Sequence, residues 1–279
     1  MTKKIKAPIV YEDRLCLFID ILGFKQHIEE SVKDEAKSTV RPFTVFRIHY
    51  ALSAISRAMN FSLEGLSTGV RSSKQVTQFS DSVVVSYKLD EKSAVFDMLY
   101  DIYLLQIQLI QHGILVRGAI TAGKLFHDKN LVFGPALVKA AELEKLAMYP
   151  RVILNQEIID LGKNRHAQHH SSDDEEKSIM SLLKQDLDGM FFIDYFGVSP
   201  GEFDDEWDGL FQHLIELREL IKRLSQLTRN QSIRLKHSWM RQKFNEIARP
   251  LEQSKFRQLN GFYVPDDLDG PIRSLSPFR

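Results

Sequence analysis

The sequence predicts an α+β fold, a ferredoxin-like sandwich followed by a C-terminal helical extension. Two observations lead to this class. Short Val-, Ile- and Phe-rich runs alternate with longer segments of helical spacing, in the order strand, two helices, hairpin, helix, strand, helix, strand. After a polar run at residues 165–177, one further strand precedes two long amphipathic segments.

The elements of the first part are justified by their ends as well as by their periodicity. The first strand leads into a tight turn at Gly23, Gly113 closes the longest helix, and Pro135 suits a first helical turn. In chain order we predict strand 14–21, a helix from residue 25, helix 42–59, strands 74–79 and 82–87, helix 92–112, strand 114–121, helix 135–148 and strand 152–154.

The second part begins where this alternation stops. Residues 165–177 are polar and unpatterned, so we expect an exposed, mobile loop, whose three histidines could bind metal adventitiously. The elements predicted after it are strand 190–195 and helices 208–227 and 232–247. We expect the apolar stripes of these helices to pack on the domain or on a second subunit. The chain thus divides into a core at 1–164, the loop, and a segment at 178–279 with a completing strand and the helical extension.

The composition is that of a soluble globular protein, with 43% hydrophobic and 27% charged residues among 279. Lysine plus arginine and aspartate plus glutamate number 37 each, which gives no argument for a nucleic-acid or membrane partner. The most apolar helical run, residues 95–110, contains Asp97 and Asp101 and does not suit a bilayer, and no signal peptide is indicated. We therefore expect a cytoplasmic protein, in which the single Cys16 is a small buried hydrophobe.

Two aspartates stand where apolar strands reach a turn. Asp20 lies in the string FIDILGF at residues 18–24, and Asp81 lies in FSDS at residues 79–82. Burying one carboxylate beside such strands costs several kcal/mol. Two carboxylates on neighbouring strands are understandable if a divalent cation lies between them. The alternative for each is a turn residue or a helix N-cap.

These strings, with RGAITAG at 117–123 and FGPAL at 133–137, resemble the catalytic domains of class III nucleotidyl cyclases over residues 12–160. The nearer resemblance is to the bacterial pyrimidine cyclases of the Pycsar antiphage system. That group shares the four strings, a Tyr-Pro-Arg like that at 149–151, and a late helix with residues spaced like Lys236, Trp239 and Asn245. The resemblance implies a class III cyclase sandwich, βααββαβ in order, with the catalytic core at 1–164.

The resemblance also implies a site with two divalent cations, Mn²⁺ or Mg²⁺. Its metal ligands would be Asp20, Asp81 and the Ile21 carbonyl, which are hard oxygen donors. The metals would help ionise the 3′-oxygen, neutralise the α-phosphate and stabilise the pyrophosphate leaving group. The triphosphate would meet the backbone N–H groups of Leu22, Gly23 and Phe24, which open a helix.

The chain departs from the family in the residues that read a purine. Adenylyl cyclases use a lysine before the hairpin and an aspartate before the strand-to-helix glycine, where this chain has Thr77 and Leu131. A smaller base would suit a pocket without that pair, narrowed by Tyr50 and Phe46 from the helix between the two aspartates. The alternative for both aromatic residues is core packing at helical spacing.

A second departure concerns the cation that stabilises the transition state. The family asparagine and arginine that follow the FGP string are replaced here by Val138 and Glu142. The nearest other cations are Arg117, Lys139 and Arg151. Arg117 follows an apolar strand residue, so it needs an anionic partner such as an aspartate or a phosphate, and a structural ion pair is its alternative.

The resemblance implies a homodimer with composite active sites that converts UTP, or less favourably CTP, to the 3′,5′-cyclic nucleotide and pyrophosphate. The product would act as a second messenger for a separate effector during phage infection. Two other hypotheses stay open at this point. One is a purine cyclase with an atypical base pocket, and the other is a non-catalytic nucleotide-binding regulator.

Overall fold

A computed structural model describes residues 9–36, 43–60, 73–225, 231–253, 258–259, 262–263 and 275–278. In chain order its elements are β1 Glu12–Ile21, α1 Phe24–Glu35, α2 Phe43–Asn60, β2 Gln75–Phe79, β3 Ser82–Lys88, α3 Ala94–Gln111, β4 Val116–His127, β5 Val132–Phe133, α4 Pro135–Leu146, β6 Val152–Leu154, α5 Gln156–Asn164, α6 Ser172–Ser181, β7 Leu183–Gln185, β8 Phe191–Ile193, a 3₁₀ turn Pro200–Glu202, α7 Glu206–Ser225, α8 Gln231–Gln253, β9 Gln258–Leu259 and β10 Phe262–Tyr263.

The main sheet has the strand order β2-β3-β1-β4-β6-β8-β7, and β5 pairs with β4. The first four strands are antiparallel, with β1 between β3 and β4, which is the ferredoxin-like order. β6 then joins β4 in parallel, and β8 and β7 continue antiparallel. The predicted α+β class is confirmed, and β8 is the completing strand expected after the core.

The central strand β1 is apolar on both faces of the sheet. Leu15, Leu17 and Ile19 belong to the large core, in which residues of α2, α3, α7 and α8 take part. Cys16, on the other face, belongs to a smaller core with residues of α4. Each fully buried aliphatic side chain contributes about 1.5–3 kcal/mol, so β1 is anchored from both sides. Cys16 is fully buried, as predicted.

The prediction of a loop at 165–177 is wrong for residues 172–177, because helix α6 begins at Ser172. Ser171 and Asp174 form a capping box, which satisfies two N–H groups at the start of this helix. The buried Glu175 then accepts a hydrogen bond from the Ser93 hydroxyl at 2.7 Å, and its other oxygen lies 2.9 Å from the His170 ring. These contacts attach α6 to the start of α3.

Two amphipathic helices follow the sheet, as predicted. Apolar residues of α7 and α8, among them Leu217 and Trp239, belong to the large core, so the helices pack on the domain. None of the helices described here is long and apolar enough to cross a membrane.

Asp97 of α3 is half-buried among like charges. Burial, followed by the charges of Asp101, Glu91 and Glu175, raises the pKa of Asp97 to about 7, against the opposing effect of Lys74. The folded state therefore holds a proton that the unfolded chain releases at about pH 4. Consequently the free energy of unfolding falls as the pH rises from about 4 to 7, and this part of the pH dependence is complete above pH 7.

An Asp97→Asn variant is expected to be more stable than wild type at pH 8 by about 1–2 kcal/mol and to lose this slope between pH 4 and 7. Urea unfolding across that range measures the effect. Asp160→Asn, at an exposed position of α5, is the matched control and should keep the wild-type slope. An unchanged slope in the Asp97 variant would refute the assignment.

Candidate active site

Asp20 lies near the end of β1, between two strands. In the register of the sheet it is paired with Ser82 on β3 and with Arg117 on β4. The Ser82 hydroxyl donates to Asp20 Oδ1 at 2.9 Å. Burial raises the pKa of Asp20, the Ser82 hydrogen bond opposes this shift, and the charges of Asp81 and Glu144 add to it. The charge of Arg117 acts against this shift, but the pKa stays raised, a setting that a bound cation would relieve.

Asp81 is brought to the same place by the tip of the β2–β3 hairpin. The Ile21 N–H donates to the Asp81 carbonyl oxygen at 3.2 Å, which joins the tip to the end of β1. Ser80 adopts a left-handed conformation with φ of 54°, a region that favours glycine. The tight tip is therefore formed here with a serine in a conformation that glycine adopts more easily.

The donor set at this edge fits a hard divalent cation. The described residues contain no group of three or more His, Cys, Asp or Glu side chains placed to hold a metal. A metal here would therefore be held by Asp20 and Asp81, with a backbone carbonyl such as that of Ile21 and with oxygens of a substrate. Mg²⁺ sites that use one or two carboxylates plus substrate phosphates follow this scheme.

The predicted N–H cradle at the start of α1 is smaller than expected. The Leu22 N–H donates to the Leu115 carbonyl at 2.8 Å, so it is already used. Gly23 has φ of 73°, and α1 begins without a side-chain cap. The N–H groups of Gly23 and Phe24 have no acceptor among the described residues, which leaves two of the three predicted donors for an anion.

Arg117 is positioned by β4 and held by α4. Its Nε donates to the carboxylate of Glu144, which is buried. The structural ion pair is thus present, while the register places Arg117 beside Asp20. Gly118 is needed next to it, because a Cβ there would lie 2.7 Å from the Phe18 carbonyl oxygen.

A second cation near Arg117 comes from the C-terminal extension. Lys236 of α8 is half-buried; burial lowers its pKa, and the positive charge of Arg117 acts in the same direction. Its Nζ donates to the Ser232 hydroxyl at 2.8 Å. In the sequence, Lys236 was only a mark of the resemblance, and Glu144 was not among the predicted site residues. A glutamate on the buried Ala136, Ala140 face of α4 is the signal that could have indicated it.

Arg151 does not belong to this site, contrary to its inclusion among the candidate cations. It is fully buried, and it pairs with Asp186 at 2.8 Å and also with Asp188. Its guanidinium lies over the rings of Tyr149 and Trp239, which stack on each other. Its charge and donors are therefore used within the fold. Lys139, the third candidate, is exposed and lies 3.5 Å from Glu157.

Tyr50 and Phe46 lie on α2 but in different surroundings. Tyr50 is half-buried and its ring lies 3.6 Å from that of His112, just before β4. The first residue of β4, Val116, pairs with Ile21, so this ring pair belongs to the Asp20 end of the sheet. Phe46 is 54% exposed, so core packing is the wrong interpretation for this residue.

Thr77 lies on β2, and its hydroxyl is 2.9 Å from Nε2 of His127. Leu131 is 59% exposed. Neither position carries a charged side chain to read a purine. Glu142 is exposed on α4. Large apolar side chains are also exposed at the end of β2, on and just before β5, and on α4: Phe79, Leu131, Phe133 and Val138.

No protein-family model and no curated protein matches this chain. Among solved structures, it resembles the adenylyl cyclase CyaB from P. aeruginosa with 14% identity and a TM-score of 0.37, over 55% of this chain and 82% of that one. An adenylate/guanylate cyclase/hydrolase from Silicibacter pomeroyi gives 18% and 0.34, over 56% and 83%. The catalytic core of a rhodopsin-guanylyl cyclase with converted specificity, in complex with ATPαS, gives 12% and 0.35, over 66% and 95%. At identities and TM-scores this low, the likeness carries no argument about activity.

Proposed function

We propose that this chain is a metal-dependent pyrimidine nucleotidyl cyclase that converts UTP, and less favourably CTP, to the 3′,5′-cyclic nucleotide and pyrophosphate. The observation that carries the proposal is the pairing of Asp20 with the hairpin tip of Asp81. The two aspartates are 61 positions apart in the sequence and meet at one edge of the sheet, where burial and the Asp81 charge raise the pKa of Asp20. A protein keeps such an arrangement when a cation is to be bound there.

The remaining residues of the edge fit the charges of the reaction. The 3′-hydroxyl releases its proton to solvent, its oxygen forms a bond to the α-phosphorus, and the bond from the α-phosphorus to the bridging oxygen breaks as pyrophosphate leaves with that oxygen. Divalent cations bound at this edge would supply charge neutralisation for these oxygens. The N–H groups of Gly23 and Phe24 would bind phosphate oxygens. Arg117 and Lys236 would place positive charge beside the α-phosphate and take the role that Val138 and Glu142 cannot fill.

The choice of a pyrimidine rests on what the base position lacks. Thr77 and Leu131 replace the charged pair that the related cyclases use for adenine. Tyr50, held against His112, would narrow the space near the Asp20 edge. UTP is preferred to CTP in this proposal, with the cyclic product acting on a separate effector in antiphage defence in the cytoplasm.

The proposal includes a homodimer. Phe79, Leu131, Phe133 and Val138 are each between 42% and 59% exposed. Phe79 is paired in register with Ser82, which is itself paired with Asp20, so its side chain lies on the Asp20 face. A second copy that covered these apolar side chains would remove them from water and close the site from outside.

The test is incubation of the purified chain with Mn²⁺ or Mg²⁺ and each of the four nucleoside triphosphates. We expect pyrophosphate and a cyclic pyrimidine nucleotide, most from UTP, and no product without metal. Preferred turnover of ATP or GTP would favour the purine alternative. Nucleotide binding without pyrophosphate release from any triphosphate would show a non-catalytic regulator and refute the enzyme.

A Lys236→Met variant is expected to lower kcat about 10- to 100-fold with a smaller effect on KM, because the added charge acts mainly on the transition state. Lys236→Arg should restore part of the rate. The matched control is Lys222→Met, since Lys222 of α7 pairs with Glu219 of its own helix and should leave kcat within about twofold. Equal rates for the Lys236 and Lys222 variants would remove Lys236 from the site.

A further inference from the structure

A basic pocket lies where α7, α8 and the final segment, residues 275–278, meet. Its volume is about 420 Å³, which is in the range of sites that hold a small organic ligand. The described lining includes four basic side chains and no aspartate or glutamate: Arg218 and Lys222 of α7, and His237 and Arg241 of α8. The pocket therefore presents positive charge, and none of its described lining residues belongs to the candidate active site.

Helical spacing brings these basic side chains to the pocket. Arg218 and Lys222 are four residues apart on α7. His237 and Arg241 have the same spacing on α8. Residues four apart lie on the same side of a helix, and like charges there repel each other. Because Lys222 forms an ion pair with Glu219, the two guanidiniums are the main positive charges of the pocket.

Arg218 is held in place by oxygen atoms that carry no charge. Its Nε donates to the Ser276 carbonyl oxygen at 3.1 Å, and a terminal nitrogen donates to the Ser276 hydroxyl oxygen at 3.3 Å. Among the described residues no carboxylate pairs with it, so its charge is open to an anion. The guanidinium carbon lies 5.1 Å from the centre of the Phe278 ring, and that of Arg241 lies 5.7 Å from the same centre. Two guanidiniums are thus gathered around one ring.

The final segment forms a fixed wall of the pocket. The Asn245 side-chain amide donates to the Phe278 carbonyl oxygen at 2.9 Å and accepts from the Phe278 N–H at 2.7 Å. The Phe278 ring also contacts Phe244, with centroids 5.5 Å apart, and Leu275 is buried in the large core. The arrangement around Arg218 is therefore built without a ligand, which lowers the entropy cost of binding one.

His237 supplies a further polar group from α8. It is half-buried, and burial lowers the pKa of its imidazole, with the charge of Arg241 acting in the same direction. Within the part of the chain that the structure describes, the ring has no hydrogen-bond partner. A neutral imidazole carries one N–H, which is therefore available to donate to a ligand. A bound anion would also offset the effect of the Arg241 charge.

We propose that this pocket binds the phosphate group of a small phosphorylated molecule, with the guanidiniums of Arg218 and Arg241 and the His237 ring as donors. Planar guanidiniums match the spacing of two phosphate oxygens. A phosphate monoester carries about 1.5–2 negative charges at pH 7, so it balances both arginines, whereas a carboxylate balances one. The proposal is independent of the proposed cyclisation, because none of these residues takes part in it.

Titration of the full chain with inorganic phosphate, at an ionic strength kept constant with sodium chloride, tests the proposal. ¹H–¹⁵N NMR follows the His237 ring signals, which are assigned by their loss in a His237→Gln variant. We expect these signals to shift in a saturable way in wild type. In an Arg218→Gln variant the apparent Kd should rise about tenfold or more, because a charge-assisted hydrogen bond is lost. Glycerol 3-phosphate should shift the same signals, and glycerol should not.

The matched control is Arg165→Gln, since Arg165 is exposed at the end of α5 and does not line the pocket. This variant should bind phosphate as wild type does. The N–H groups of Gly23 and Phe24 are the other expected phosphate site. Phosphate bound only there would leave the His237 signals unmoved, so the readout separates the two sites.

Two results would overturn the proposal. One is a set of His237 signals that phosphate does not move. The other is an equal Kd in wild type, Arg218→Gln and Arg165→Gln, which would show general ionic association only. Thermal unfolding without phosphate shows whether Arg218→Gln keeps the fold.

If Arg218→Gln does not fold, isothermal titration calorimetry of the His237→Gln variant decides the question. His237 makes no hydrogen bond to another described residue, so this variant should stay folded. We expect it to bind phosphate about fivefold more weakly than wild type, because one donor is lost. An unchanged affinity in this variant would refute the site.

Discussion

Asp20→Asn and Asp81→Asn variants are each expected to lose at least about 10³-fold in kcat for nucleotide cyclisation. Each substitution removes one negatively charged oxygen ligand while keeping the size of the side chain. Neither should unfold the protein. Burial and the Asp81 charge already disfavour the ionised form of Asp20, so neutralising it removes a cost. Pyrophosphate release under saturating UTP and Mn²⁺ measures the rate.

The control for these variants is Asp13→Asn. Asp13 is an exposed carboxylate of β1 that pairs with Lys124 at 2.7 Å, and it should retain wild-type activity. Binding of Mn²⁺, followed by electron paramagnetic resonance, adds a reading that does not depend on turnover. Weaker binding in the Asp20 and Asp81 variants but not in the Asp13 variant is expected. Persistent cyclisation in either active-site variant would break the two-carboxylate assignment.

The second large effect concerns stability. An Arg151→Met variant is expected to lose about 3–5 kcal/mol of unfolding free energy, because it leaves a buried carboxylate without its main cation. Asp186, 2.8 Å from Arg151, is itself nearly buried, and in the variant it would keep Trp239, Lys243 and the Leu187 N–H as partners. For a chain of this size that loss lowers Tm by roughly 10 °C.

Denaturant unfolding measures this loss, with Lys124→Met as the matched control. Lys124 and Asp13 form an exposed ion pair, so that control should cost under about 1 kcal/mol. A double variant with Asp186→Asn should be less destabilised than the sum of its single variants, because it also removes the unpaired charge. Equal losses of unfolding free energy for the Arg151 and Lys124 variants would show that the buried ion pair stabilises the fold no more than the exposed one.

The elements that the sequence predicted well are those with strong local patterns. Periodicity alone predicts β1, whose odd and even residues face two different cores. It also predicts the long apolar helix α3. Helix α6 was not predicted because its sequence is polar, and its start is marked only by Ser171 and Asp174. That capping pattern was available, but the burial of Glu175 depends on Ser93 and His170, which no local signal indicates.

The candidate site likewise contains residues that the local sequence indicates and contacts that it does not. Asp20 and Asp81 could be singled out from the sequence because a carboxylate at the end of an apolar strand is unusual in itself. The partners of Arg117 and Arg151 were not predicted. The Arg151 guanidinium, for example, pairs with Asp186 and Asp188, which lie 35 and 37 residues later in the sequence. The hydrogen bond of Leu22 to Leu115 likewise joins turns that are distant in sequence. Such pairings depend on the packed structure, and spacing within one segment does not contain them.

The burial of Cys16 has a practical consequence. It is the single cysteine of the chain, it is fully buried, and burial raises the pKa of its thiol to about 12. Alkylating reagents that need a thiolate will therefore leave the folded protein unmodified. The natural sequence is a ready background for one introduced cysteine, and a maleimide dye at Val138→Cys would report whether a second copy shields that side of α4.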